Sequence, residues 1–153
     1  MPFPIYRCGR WGETGLKKGS VVMLILRRRW EYWVCATALI KLGVIFIPGT
    51  LQLTKKDIAY RANAANVEMC ICVNDDYVVE QMELAKAEMP QVKFFGLVGD
   101  IDRDGWFNFN REFEKFSDEF LRPTDEERTN NDNYLTIMNN FISDLSKVVL
   151  EKK

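Results

Sequence analysis

The sequence predicts an α/β fold, with a mostly parallel sheet flanked by helices. Three observations predict it. Four apolar runs of strand length recur between Val21 and Gly99. Segments with helical spacing and helix start or stop signals lie between them. The turns that join the two kinds of segment are short, as βαβ units require.

The first run is "VVMLIL" (Val21–Leu26), reached through the turn-like "GLKKGS". Every residue in it is apolar, which suits a strand buried on both faces. The segment "RRRWEYWVCATALIKLG" then reads as a helix that Gly43 ends as a C-cap. Between Trp30 and Leu42 only Glu31 and Lys41 are charged. A helix apolar nearly all round is buried or expects a partner, so Trp30 and Trp33 are expected in the core or at an interface.

The second strand is "VIFIP" (Val44–Pro48), and "GT" turns out of it. Thr54 is placed to cap the next helix, with Asp57 three residues on in a capping-box-like position. Ile58, Ala62 and Ala65 form its expected inner face. "VEMCICV" (Val67–Val73) is the third strand, and "NDD" supplies the turn and N-cap after it. Val78, Met82, Ala85 and Met89 recur at helical spacing up to Pro90. "VKFFGLVG" (Val92–Gly99) is the fourth strand. Together these predict a Rossmann- or flavodoxin-like βαβ subdomain over residues 1–123. Residues 124–153 read as a polar linker followed by an amphipathic C-terminal helix, with Leu135, Met138, Phe141, Leu145, Val148 and Val149 at roughly helical spacing.

Composition narrows the function. A chain of 153 residues is one domain by length, and such a chain buries about 68–70% of its unfolded surface. The net charge of −1 gives no reason to expect a nucleic-acid or membrane-surface partner. There is no histidine, which removes the commonest general base and metal ligand and excludes Ser-His and Cys-His catalysis within these residues. The cysteines are Cys8, Cys35, Cys70 and Cys72, without a C-x-x-C pair. Cys70 and Cys72 face the same way on a strand, and buried thiols are the expected reading ahead of a disulfide or zinc site. The N-terminus lacks the apolar core of a signal peptide. No apolar run reaches the roughly 18 residues of a membrane span, so a cytoplasmic protein is expected.

"DIDRDGWFNFNRE" (Asp100–Glu112) has the look of a calcium loop, with Asp100, Asp102 and Asp104 at alternate positions before Gly105. Such a loop needs a bidentate Glu at position 12 and a helix before it. Position 12 is Arg111, Glu112 comes one residue late, and a strand precedes the loop. A surface turn is the expected reading, followed by an aromatic core stripe of Trp106, Phe109, Phe113, Phe116 and Phe120.

"LIKLGVIFIPGTLQLTKKDIAYR" resembles the N-terminal part of AMP-forming acyl-CoA synthetases, in particular the medium-chain or butyrate-type branch, where "LxxGxxxxPGTxQLxxxDIxYR" recurs. "GLKKGSVVMLIL" before it, and "VEMCICVNDDYVVEQ" and "FFGLVGD…GWFNFNREFEKFSDEF" after it, keep the family's order over roughly residues 15–123. The resemblance implies a parent reaction in which ATP and a carboxylic acid give an acyl-adenylate and pyrophosphate, and coenzyme A then displaces AMP. It implies ATP, Mg and coenzyme A as the parent family's cofactors.

The chain departs from the family pattern after "FEKFSDEF". The glycine-rich loop "TSGTTGxPK", which holds the ATP phosphates in the family, is not found, and no Gly follows Gly105. The family's Pro-containing "LPR" turn is replaced by "LRRRWEYW". The expectation is therefore an N-terminal fragment, inactive alone, with no catalytic residue, no metal site and no cofactor of its own. Its expected partners are the remaining domains of the synthetase or a second copy of the chain, with a non-catalytic interaction module as the alternative function.

The resemblance makes Pro48, Gly49 and Thr50 candidates for the border of a coenzyme A channel, because this turn lies near the thiol-acceptor path in the family. Their residue types also suit a plain strand-to-helix turn. Arg61 and the Arg27–Arg28–Arg29 run are weaker candidates for contact with a phosphate.

Overall fold

The apolar runs assemble into one five-stranded, all-parallel sheet with strand order β2-β1-β3-β4-β5. The computed structural model describes residues 15–115. Its elements are β1 (Val21–Ile25), α1 (Trp30–Lys41), β2 (Ile45–Pro48), α2 (Lys55–Ala64), β3 (Met69–Val73), α3 (Asp76–Ala85), a short 3-10 turn (Lys86–Glu88), β4 (Phe94–Val98), β5 (Phe107–Asn108) and α4 (Phe109–Lys115). This is the flavodoxin-like order, in which the chain reverses direction across the sheet between β1 and β3.

Strand alternation divides the core into two layers. Met23, Ile25, Cys70, Cys72 and Leu97 face Ile58 and Ala62 of α2 and Val78 and Met82 of α3. Val22, Leu24, Met69, Ile71 and Val98 face Cys35 and Leu39 of α1 and Phe109 of α4. β3 is buried along its whole length, as a central parallel strand must be when both faces are covered. Each fully buried side chain of the Ile58 or Met82 kind contributes about 1.5–3 kcal/mol.

The helix ends follow the local sequence. The Thr54 side chain accepts from Asp57 N–H, and the Asp57 side chain reaches back to Thr54 N–H, forming a full capping box on α2. The Asp75 side chain accepts from Val78 N–H at the start of α3. Gly43 follows α1 with φ +68° and donates to Ile40 O, the left-handed turn that glycine allows.

Two expectations about aromatic residues hold only in part. Trp30 and Trp33 are not in the core; they are 51% and 68% exposed. The inner face of α1 is Glu31, Cys35, Ala38 and Leu39, spaced by four, three and one, and that geometry turns both tryptophans outward. The aromatic stripe also splits. Trp106 packs in the α2–α3 layer, whereas Phe109 and Phe113 pack in the α1 layer. The two-residue strand β5 lies between them and changes the periodicity from two to 3.6. Phe116 and Phe120, Cys8, and the expected linker and C-terminal helix lie outside the described residues.

Trp106 is held by more than packing. Its ring N–H donates to the Glu83 carboxylate. The Lys86 ammonium sits 4.6 Å from the ring centroids of both Phe95 and Trp106. Burial would raise the Glu83 carboxyl, but hydrogen bonds from Trp106 and Lys86 and the nearby Arg103 charge leave it below its usual value.

Candidate functional site at the carboxyl edge of the sheet

In a parallel sheet the loops after the strands share one edge. Where the chain reverses direction, two of them diverge and leave a crevice, the usual ligand position of doubly wound folds. Here that edge carries Arg27–Arg29 after β1, Pro48–Thr50 after β2, Asn74–Asp75 after β3 and Gly99–Asp102 after β4. The N-termini of α1, α2 and α3 open onto the same edge. The sequence candidates Pro48, Gly49 and Thr50 thus sit at the same edge as the arginine run.

The Pro48–Thr50 turn is set from below by the sheet. Pro48 pairs with Leu24 as the last residue of β2. Gly49 N–H donates to Leu24 O at 2.7 Å. A Cβ on Gly49 would lie 2.8 Å from Ile25 Cγ1 and 3.0 Å from Leu53 Cδ1, so the backbone approaches as closely as only glycine permits. Thr50, the next residue, is exposed. The turn therefore presents one hydroxyl outward, and its Gly49 N–H is already engaged.

The arginine run is largely committed. Arg27, after β1, reaches Asp75, after β3, at 3.2 Å. Asp75 also caps α3, so one carboxylate ties the end of β1 to the start of α3. Arg29 donates to both Glu31 oxygens, Nε at 3.0 Å and Nη2 at 2.9 Å. Glu31 is buried, and this fork–fork pair meets its need for donors. The hydrogen bond to Glu31 raises the Arg29 guanidinium above its ordinary value, against the opposing pull of burial. Arg28 is exposed. Arg61 lies in the last turn of α2, at the opposite end of that helix from Pro48–Thr50, so it does not join this site.

The third wall is built by backbone and amide groups. Gly99 has φ +154°, and a Cβ there would lie 2.8 Å from Asn74 Cβ. Its N–H donates to Asn110 Oδ1 at 3.0 Å, fastening the end of β4 to α4. Sequence reasoning found Asp75 as an N-cap but missed its pairing with Arg27. It also missed Glu31 as a buried carboxylate and the Gly99–Asn110 contact. These are tertiary contacts without a local signal.

The Asp100–Gly105 stretch follows β4, a strand, and its side chains bond to one another. Asp102 receives the Arg111 guanidinium and lies 3.4 Å from Asn108 Nδ2. Asn108 Oδ1 in turn accepts from Arg111 N–H. The residues at loop positions 3, 9 and 12 thus satisfy each other. Among the described residues, no group of three or more acidic or cysteine side chains is arranged to hold a metal ion.

The thiols do not offer a nucleophile. Cys35, Cys70 and Cys72 are buried, and none is in a disulfide. Burial raises the Cys70 thiol well above its usual range, and the neighbouring Cys72 adds to the effect. Burial pushes Cys72 up to about 12, against the opposing charges of Arg103 and Lys86. A protonated thiol is a poor nucleophile. The sequence also has no histidine.

Residues 12–138 match the family described as AMP-binding enzyme. The chain belongs to this family. Among its curated relatives in the family, the rat acyl-coenzyme A synthetase ACSM5, mitochondrial, is 40% identical over 98 residues, which is 64% of this chain and 17% of that protein. The mouse acyl-coenzyme A synthetase ACSM4, mitochondrial, is 37% identical over 105 residues, covering 69% of this chain and 18% of the relative. The chain thus spans less than a fifth of the length of these relatives. An anthranilate CoA ligase, AuaEII, solved with anthranoyl-AMP, shares the fold with TM-score 0.70 at 15% identity, over 78% of this chain and 22% of that one. The relatives are named mitochondrial, so they lend no support to a cytoplasmic location. Among the described residues, no helix of this AMP-binding family member is long and apolar enough to cross a membrane.

Proposed function

We propose that this chain supplies the N-terminal α/β unit of an acyl-CoA synthetase of the ATP-, Mg- and coenzyme A-dependent kind. In this reading the unit is a scaffold, and its carboxyl edge, at Pro48–Thr50, borders the path of the acceptor thiol. The observation that supports the reading is the join of family membership to edge geometry: the turn of the "PGT" signature is packed closely onto Ile25 and Leu53 through Gly49, at the carboxyl edge of the sheet, on the strand next to β1.

The described residues do not fit the nucleotide phosphates. Arg27 and Arg29 are spent on Asp75 and Glu31, and Arg28 alone is a poor substitute for a cradle of backbone N–H groups. Adenylation by residues 1–153 alone is therefore not expected, and the remaining parts of a synthetase are the natural partner. Equilibrium dialysis of the 153-residue chain with ATP and Mg tests this. No saturable binding is expected. Saturable binding that is lost in Arg28→Ala would show that the arginine run holds phosphates after all.

A further inference from the structure

Residues 99–106 join β4 to β5, two parallel neighbours, with no helix between them. A parallel connection ordinarily takes a dozen or more residues and a covering helix. Here a short crossover does the same work. Its first half is bonded to the chain that follows it. Gly99 N–H donates to Asn110, Asn108 donates to Ile101 O at 3.2 Å, and Asp102 receives Arg111. These bonds fasten the crossover to β5 and α4, and not to the helices before it.

The second half is fastened at one carboxylate. Glu83, in the last turn of α3, accepts from the Trp106 ring N–H and from Lys86 at 3.0 Å, and it lies 3.9 Å from the Arg103 guanidinium. Among the described residues, the hydrogen bond and the ion pair that tie the crossover to an earlier helix both end on Glu83. The Phe95 and Trp106 rings lie 5.5 Å apart, with the Lys86 ammonium 4.6 Å from each. Gly105 turns with φ +74°, and a Cβ on it would come within 3.9 Å of Lys86 Nζ, so the chain passes close over that ammonium. The Trp106 ring is buried, whereas the Glu83 side chain is 39% exposed and open to solvent protons. The charged groups that face Glu83 are Lys86 from the 3-10 turn and Arg103 from the crossover. The Cys72 thiol of β3 also feels the Glu83 charge, and it is uncharged at neutral pH.

We propose that Glu83 is the latch of a strap: its carboxylate holds the crossover of residues 99–106 closed over α3, and loss of that one charge opens the crossover while the sheet stays folded. Two cations and an indole donor converge on a single acceptor. A neutral carboxyl accepts more weakly, and it leaves the Lys86 and Arg103 charges uncompensated beside each other. The pairing of β5 spans two residues and cannot hold the crossover by itself. The central strand β3, buried along its whole length, belongs to the most stable part of the domain. The partners of Glu83 hold its carboxyl below the ordinary value of 4.5. Its contribution to closure is therefore intact above 4.5 and is lost as pH falls below that value. The crossover also carries residues 99–102 to the carboxyl edge, so the latch sets that wall whichever ligand the edge borders.

The test uses the full chain and Glu83→Gln, which keeps the shape and an acceptor oxygen but removes the charge. Hydrogen exchange at pH 7 compares the amides of residues 100–107 with those of β3, and circular dichroism confirms folding. Glu83→Gln should speed exchange across the crossover about tenfold, the low end for a hydrogen bond to a charged group because Glu83 is partly exposed, with β3 unchanged. Crossover exchange equal to that of the parent overturns the proposal. So does a rise that β3 shares, which is a general loss of stability. A second arm leaves Glu83 in place and so stands even where the variant fails to fold. Trp106 emission, read in a chain with Trp11, Trp30 and Trp33 replaced by Phe, should shift to the red as pH falls below the ordinary carboxylate range, while the circular dichroism holds. A red shift that coincides with loss of the circular dichroism, or that persists unchanged when Glu83→Gln is added, overturns the proposal.

Discussion

At the scale of single residues, the structure ranks three adjacent arginines that the sequence leaves equivalent. Among the described residues, Arg29 is the one ion-pair partner of Glu31, a carboxylate that is only 1% exposed. Replacing it strands that charge in the core, and breaking such a pair costs about 3 kcal/mol. Arg28→Ala should stay within roughly 0.5 kcal/mol of the parent, as surface changes do. Paired denaturant melts of Arg29→Ala and Arg28→Ala measure the contrast, and equal stabilities would show that Glu31 is satisfied some other way. Cys72 gives the pH prediction. Its folded pKa, about 12, lies above the ordinary thiol value of 9.0. A raised pKa contributes stability that is intact below the ordinary value and is lost as pH climbs from there toward about 12. Native Cys70 and Cys72 should resist a thiol reagent at pH 8 and react only on unfolding, a difference that a timed Ellman assay resolves. The buried thiols were legible in the sequence, but the ranking of the arginines was not: Arg29–Glu31 is two residues apart, yet nothing local says that Glu31 points inward.

Whole elements were far more legible, because their signals are local. The apolar runs became β1 to β4 with ends shifted by at most a few residues, and Thr54–Asp57 formed the capping box that their spacing announces. Removing the Thr54 hydroxyl in Thr54→Ala should cost about 1 kcal/mol, seen as a lower urea midpoint at unchanged slope. A variant as stable as the parent would mean that α2 is held by packing alone. β5 was missed for a physical reason. Two residues cannot show a period, and its pairing of Phe107 with Gly96 depends on a ring lying over a glycine far away in sequence. A Cβ at Gly96 would lie 2.4 Å from that ring. The same short strand explains why the aromatic stripe split between layers. Hydrophobicity alone left Trp30 and Trp33 between core and interface; the small residues Cys35 and Ala38 and the paired Glu31 make the inner face, which excludes the core.

At the scale of the whole molecule, order and spacing of elements carried the most information. Alternating strands and helices predict a parallel sheet, and the long pattern around "PGT", with its flanking segments in order over residues 15–123, points to the family. What sequence order could not supply is the crossing of the sheet between β1 and β3, which brings Arg27 to Asp75. In the proposed reading this unit borders a reaction which it does not itself perform. Carboxylate-dependent ATP–pyrophosphate exchange by the purified 153-residue chain, with medium-chain and aromatic acids, tests that claim most directly. Exchange no greater than in the absence of acid is expected, since among the described residues no preorganised group is placed to stabilise charge on the transferring phosphates. Acid-dependent exchange that follows the chain through repurification would contradict it.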